Sequence, residues 1–229
     1  MAAGKQPNHR PSPLERPASL KDAAYREIKE RLVSGRMEHG KIYSAQHFAG
    51  QLGVSRTPVR EALLQLAGEG FLDCIEVRGF KVRQFSEQEI RDVFETRQII
   101  ESFVVKHLID KLEPDDFRRL KKNLRVMAAH AQEGHVHGFL EADKEFHMAL
   151  VRRTGNQMLV TIMETIRNYI AIFGVRAVSH QGRFQEVIRE HRSILGALYR
   201  KDRKRALQAM HHHLSATERI LKEDQPVSG

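Results

Sequence analysis

From Ser86 onward, every long segment of this 229-residue chain repeats its apolar residues at three- and four-residue spacing. That pattern leaves room for little except helices packed on helices. The segments run over about 87–111, 114–133, 137–153, 156–178, 182–201 and 202–222, with Pro114 and Asp202 as helix starts. An all-α six-helix bundle is the expected architecture for this half. A 41% hydrophobic fraction beside 29% charged residues is globular in balance, and the chain is long enough to bury a core without staples. The one cysteine, Cys74, has no internal disulfide partner. The N-terminal stretch lacks the apolar core of a secretory signal, and no unbroken apolar run approaches 18 residues. A soluble, cytoplasmic chain with no membrane partner is expected.

The first third is organised differently. Residues 1–19 carry four of the seven prolines and are expected to form a disordered basic arm. A helix is read over 20–34, stopped by Gly35. After a turn-rich stretch around Gly40, Ser44 can cap a short helix through Leu52, which Gly53 breaks. Ser55 or Thr57 can cap another through about Glu69, with Pro58 tolerated in its first turn. Two short helices about a glycine turn make a helix-turn-helix. The runs FLDCIEV and FKVRQF, joined through Arg78 and Gly79, then read as a hairpin, the wing. The expected fold is mainly α, with a winged helix-turn-helix over 20–85, a helical domain over 86–222, and a tail over 223–229.

The 38 basic residues outnumber the 29 acidic ones, a net charge of +9, which favours a polyanionic partner. Basicity alone locates no site, because residues 1–85 and 86–229 share the excess almost equally. Position is more informative. In SRTPVREALLQL, Val59, Ala62, Leu63 and Leu66 form the inward stripe, while Arg56 and Arg60 crowd the outward helix start. A helix N-terminus offers N–H groups and a positive dipole end to phosphate, an arginine fork matches a guanine edge, and the Ser55 and Thr57 hydroxyls add short donors.

The string LGVSRTPVREALLQLAGEGFL, followed by RGFKV, resembles the winged helix-turn-helix signature of the GntR family of bacterial transcription regulators. The resemblance covers about residues 20–85. It implies a dimer on a short pseudo-palindromic operator in double-stranded DNA, with Arg56, Thr57, Arg60 and Gly79 as the matching contact positions and the wing, with Arg78 at its turn, reaching the minor groove. Gln46 stands where the family usually has a basic residue in the second helix, so that contact is weakened or reads a different base.

Ten of the thirteen histidines lie beyond residue 85. Helical phasing turns Asp143 and His147 onto the apolar stripe with Leu140, Phe146 and Leu150. It places His191 among Val187, Ile188, Ile194, Leu195 and Leu198, and His213 beside Met210 and Leu214, leaving His211 and His212 sideways. A lone inward histidine is ordinarily a core hydrogen-bonding residue. Three of them with one aspartate overload that account, whereas a divalent metal accepts all four. DKEFHMAL, the EHRSILGAL run and AMHHHLSAT are similar to the ligand-bearing segments of the FCD effector domain of FadR-like GntR proteins, whose metal-binding members supply an Asp and three His there. Asp143, His147, His191 and His213 are therefore the expected ligands, for Zn²⁺ or, with this donor set, Ni²⁺ or Mn²⁺.

Arg97 shares a stripe with Val93, Phe94, Ile100, Glu101 and Val104, and an inward guanidinium needs an anion. Glu101, one turn on, is one candidate. A small organic-acid effector bridging the metal and the arginine is the other, and the resemblance supports an arginine there. Tyr169, aligned with Ile162, Ile166 and Phe173, is a candidate hydroxyl for the same ligand. His135 and His137 read as solvated filler, and Cys74 as a small buried residue of the wing. With four ligands and no HExxH-type base, a ligand-responsive repressor is favoured over the alternative, a helical metalloenzyme fused to a DNA-binding module.

Overall fold

A computed structural model describes residues 19–38 and 40–223. The expected arm over 1–19 and tail over 223–229 fall almost entirely outside the described residues. Three helices and a small sheet open the chain: α1 (Leu20–Val33), β1 (Ile42–Tyr43), α2 (Ala45–Leu52), α3 (Arg56–Gly68), β2 (Leu72–Ile75) and β3 (Gly79–Val82). Six long helices follow: α4 (Glu87–Leu108), α5 (Pro114–Gln132), α6 (Val136–Arg153), α7 (Gln157–Val178), α8 (Arg183–Tyr199) and α9 (Arg203–Glu223). This is the anticipated mainly helical fold, a winged helix-turn-helix followed by a six-helix array.

Local chemistry sets the element ends. Ser19 and Ser86 close capping boxes with Asp22 and Glu89, and Pro114 opens α5 where its missing N–H costs nothing. Ser44 accepts from the His47 N–H at 3.1 Å, and Gly53 ends α2 in the left-handed conformation that turns the chain into α3. Ser55 stands at the start of α3 but makes no capping bond, and Thr57 lies inside the helix.

Three differences from the sequence-based expectation concern the wing. Ile42 and Tyr43, within a stretch read only as turns, form a strand that pairs antiparallel with β3, so the sheet has three strands in the order β1-β3-β2. Cys74 is exposed rather than buried. The reason for glycine at position 79 also differs. The turn itself runs through Glu76, Val77 and Arg78, with Val77 at φ 59°. Gly79, at φ 131°, begins β3 directly against β1, where a Cβ would stand 2.5 Å from the Tyr43 carbonyl oxygen. Strand packing thus accounts for Gly79, and the exposed tip of the wing is Val77 and Arg78.

Two apolar clusters form the interior. One joins α1, α2, α3 and the sheet around Ile28, Phe48, Leu63, Leu66 and Phe71; the other fills the six-helix array around Phe94, Met127, Phe139, Phe146 and Leu198. They meet through α7. Ile172 belongs to the first cluster, although the helix that carries it also lines the second. Tyr169 lies beneath Gly70, stacks at a tilt 5.2 Å from Phe85 and receives the Arg83 guanidinium 5.0 Å from its ring centre. Over Gln157–Val175 α7 is long and apolar enough to cross a membrane by length and composition, with a mean hydropathy of 1.3. Here it packs as a core helix against α1, α4, α6, α8 and α9.

Gly79→Ala should lower stability by about 1–3 kcal/mol, since both the dihedral and the Tyr43 carbonyl oppose a Cβ. Gly53→Ala isolates the dihedral part, because its φ is 65° and nothing lies within 4 Å. Thermal unfolding of both variants should show the larger loss at position 79.

Candidate metal centre

Three helices deliver the four predicted ligand residues to one buried point. Asp143 and His147, one turn apart on α6, face His191 from α8 and His213 from α9, and all four are buried. Their facing atoms lie within 4.8 Å of one another. His147 Nε2 is 3.2 Å from both His213 Nε2 and His191 Nε2, and His191 Nε2 is 3.2 Å from Asp143 Oδ1. His211 and His212 are exposed, as their phasing predicts.

The outer ring nitrogens determine what the inner ones can do. His147 Nδ1 donates to Glu101 Oε2 at 2.5 Å, His213 Nδ1 to Glu190 Oε2 at 2.7 Å and His191 Nδ1 to the Val187 carbonyl at 2.8 Å. Each partner is an acceptor only, so each Nδ1 carries the proton and each Nε2 presents a lone pair. Three lone pairs and a carboxylate oxygen therefore converge in a buried interior. One extra proton would relieve a single edge of that cluster, whereas one cation relieves them all. An ion bound to nitrogen and oxygen at 2.0–2.1 Å in tetrahedral geometry has ligand-to-ligand edges of about 3.3–3.4 Å. The observed 3.2 Å spacings suit that set, and the Nδ1 acceptors are the kind that orient metal-bound histidines.

Electrostatics keep the donors in their ligating forms. Burial pushes the imidazoles of His147 and His213 down to about 4 and about 3, so both are neutral at pH 7. Burial acts in the opposite sense on the carboxyls. Arg97, with His147, nonetheless holds Glu101 well below the usual carboxylate range, and Arg167 with the neighbouring imidazoles does the same for Asp143.

Arg97 is buried, as predicted, and its Nε bonds Glu101 at 2.7 Å. Its Nη2 also lies 3.3 Å from His147 Nε2, at the edge of the cluster. Tyr169 is a correction. It sits at the junction with the winged unit among Gly70, Arg83 and Phe85, because the inward stripe of α7 runs through Met163, Ile166, Arg167 and Ile170, whereas Ile162 is exposed. Phasing the helix on Met163 instead of Ile162 would have found Arg167. Its Nη2 bonds Asp143 Oδ2, while its buried Nε and Nη1 have no hydrogen-bond partner. Glu190 was missed as well, although it immediately precedes His191. Its carboxylate links His213 to buried Arg183, and it lines a groove of about 770 Å³ between α8 and α9.

The DNA-facing candidates lie on another surface. Arg56, Thr57 and Arg60 are exposed on the first turns of α3, beside Ser55, and Gln46 is exposed on α2.

Comparison with known proteins agrees with both halves. Residues 92–216 match the FCD domain, and residues 20–82 match the bacterial regulatory proteins of the gntR family. A gluconate operon transcriptional repressor of Bacillus licheniformis is 28% identical over 196 residues, covering 82% of this chain and 79% of that one. The repressor RspR of Escherichia coli is 24% identical, with 87% of each chain covered. Among solved structures, McbR/YncC of Escherichia coli superposes with a TM-score of 0.75 at 22% identity over 90% of this chain and 98% of that one. A GntR regulator of Rhodococcus sp. RHA1 gives 0.76 at 20% identity over 90% and 99%.

Metal-free protein should lose stability as pH falls. An unfolded histidine takes up a proton near 6.5, while folded His147 resists until about 4 and His213 until about 3. The folded state therefore binds fewer protons throughout that window, and acidification favours unfolding. Melting temperature measured after chelation should decline from about pH 6.5 downward. It should decline further below about 4.5, as Glu101 and Asp143 are forced to protonate. A flat profile between 6.5 and 4 would contradict the buried neutral imidazoles.

Proposed function

Since the chain belongs to the GntR family of bacterial regulatory proteins, a winged helix-turn-helix followed by an FCD domain, we propose that it is a cytoplasmic repressor that binds a pseudo-palindromic operator as a homodimer and is controlled by a small carboxylate held at a metal-bearing pocket. Proteins of this family regulate transcription and are not enzymes. The observation that carries the proposal is the inward convergence of four ligand atoms with every Nδ1 already committed outward.

The operator contacts assigned to this chain are Arg56, Thr57 and Arg60, with the uncommitted Ser55 hydroxyl beside them, Gln46 from α2 and Arg78 from the wing tip. A helix start that spends no side chain on its own cap keeps its N–H groups and hydroxyls for phosphate. The homodimer is supported by apolar residues left on the surface of α4, Ile99 at 66% and Phe103 at 48% exposure, one turn apart.

Asp143 Oδ1 and the three Nε2 atoms would hold the ion, with Zn²⁺ suited by the imidazole majority and Ni²⁺ or Mn²⁺ by the Asp-and-three-His set. A divalent ion held by these four groups would have to expand to a fifth position to supply a Lewis-acidic site that a carboxylate can occupy. Arg97 and Arg167 flank the cluster from α4 and α7, and Arg167 keeps two buried nitrogens, Nε and Nη1, without hydrogen-bond partners. The same helix reaches the winged unit. Arg167 faces Asp143, Tyr169 supports Gly70 and Phe85, and Ile172 enters the N-terminal core. An anion drawn onto Arg167 would thus shift the element on which the DNA-reading unit rests, giving the two sites a common two-state part.

Arg60→Ala should cost about 1–3 kcal/mol at the cognate operator if the fork reads a base, or weaken all sequences equally if it meets phosphate. Unchanged affinity in both Arg56→Ala and Arg60→Ala, measured at several salt concentrations, would remove the assignment.

Elemental analysis of untagged, dialysed protein should find bound divalent metal that His191→Ala loses and His211→Ala/His212→Ala retains. A thermal-shift screen of organic acids should give stabilisation that Arg167→Ala abolishes. Stabilisation by neutral or cationic compounds alone would exclude the carboxylate effector.

A further inference from the structure

The turn between α5 and α6 gathers histidines for which neither DNA binding nor the buried cluster has any use. Its sequence is HAQEGHVHG, from His130 to Gly138. His130 sits on the last turn of α5, Glu133 ends that helix, and His135 immediately precedes α6. We infer that His130, Glu133 and His135 form a second, solvent-accessible site for a divalent transition-metal ion, separate from the buried cluster.

The backbone brings the three together. Glu133 closes α5 through its N–H to Ala129, Gly134 takes the left-handed conformation at φ 65°, and the His135 N–H returns to the His130 carbonyl at 2.9 Å. The Phe139 N–H then bonds the His135 carbonyl at 3.0 Å, tying the turn to α6. His130 and Glu133 are i,i+3 neighbours on one face, and the break brings His135, five residues on and off that face in a continuous helix, to the same point. His130 Nδ1 is 3.3 Å from His135 Nδ1 and 3.7 Å from Glu133 Oε2. Those spacings are close to the edges expected around one ion.

Space for the His130 ring is also built in. At Gly138 a Cβ would stand 2.6 Å from both Nδ1 and Cε1 of His130, so only glycine lets the imidazole lie against the first turn of α6. His137, with its ring 6.5 Å from that of His135, has a buried Nδ1 with no hydrogen-bond partner. A hydrogen bond between the two imidazoles would satisfy that pair but leave Glu133 without a role. An ion engages all three.

The donor set selects the ion. Two imidazole nitrogens and one carboxylate suit Zn²⁺, Ni²⁺ or Cu²⁺ and disfavour Ca²⁺ and Mg²⁺, which prefer oxygen. Glu133 is 68% and His130 28% exposed, so the ion enters from solvent and water completes its shell. A filled site would fasten the end of α5 to the start of α6, the helix that carries Asp143 and His147.

The test is a calorimetric Zn²⁺ titration of the full-length protein, with histidine ring nitrogens followed by NMR. The expected result is a binding event beyond that of the buried cluster, shifting Nδ1 of His130 and His135. His135→Ala should abolish it. Glu133→Gln, which removes a ligand charge, should weaken it, and Gly138→Ala, which removes no ligand, should weaken it too. Circular dichroism confirms that each variant is folded. The site is overturned if no such event occurs, if the shifts fall on His211 and His212, or if the event survives His135→Ala. His147→Ala is directed at the buried cluster alone and should leave this event intact, so each site's failure is read separately.

Discussion

The helical half of the protein is organised about three imidazole Nε2 atoms and one carboxylate oxygen that face one buried point. Outward hydrogen bonds to Glu101, Glu190 and the Val187 carbonyl hold each ring in the tautomer that leaves its Nε2 a lone pair. Burial then keeps His147 and His213 from escaping by protonation near neutral pH. Four helices supply these groups, α4 with Glu101, α6 with Asp143 and His147, α8 with Glu190 and His191, and α9 with His213. Their mutual packing is thus coupled to the chemistry of one small volume.

Two buried arginines complete that volume and differ in how fully they are used. Arg97 is satisfied on one side by Glu101 and touches the cluster with the other. Arg167 bonds Asp143 and still has two donors without partners. A buried guanidinium with unmet hydrogen bonds is expensive to keep.

Helix α7 gives this chemistry a reach beyond its own core. Within six residues it passes from Arg167 at the cluster, through Tyr169 beneath the wing's root, to Ile172 in the apolar core of the winged unit. The junction is aromatic and cationic, with Phe85 between Tyr169 and Phe173 and the Arg83 guanidinium over the Tyr169 ring.

The sequence by itself determined the local order of the molecule. Helical periodicity, the Ser19, Ser44 and Ser86 caps, Pro114 and the break at Gly53 fix the long elements, because each acts over three or four residues. Phasing also turned Asp143, His147, His191, His213 and Arg97 inward, since a stripe is a property of one helix. Tertiary structure alone decided what those stripes meet. Strand β1 exists only because β3 lies beside it, and Gly79 is required by a carbonyl 36 residues away in the chain. Tyr169 faces the winged unit, an exterior that no periodicity within α7 reveals. Arg167 finds Asp143, Glu190 finds His213, and His130 meets His135 across a helix break, because contacts between elements depend on how helices cross and end.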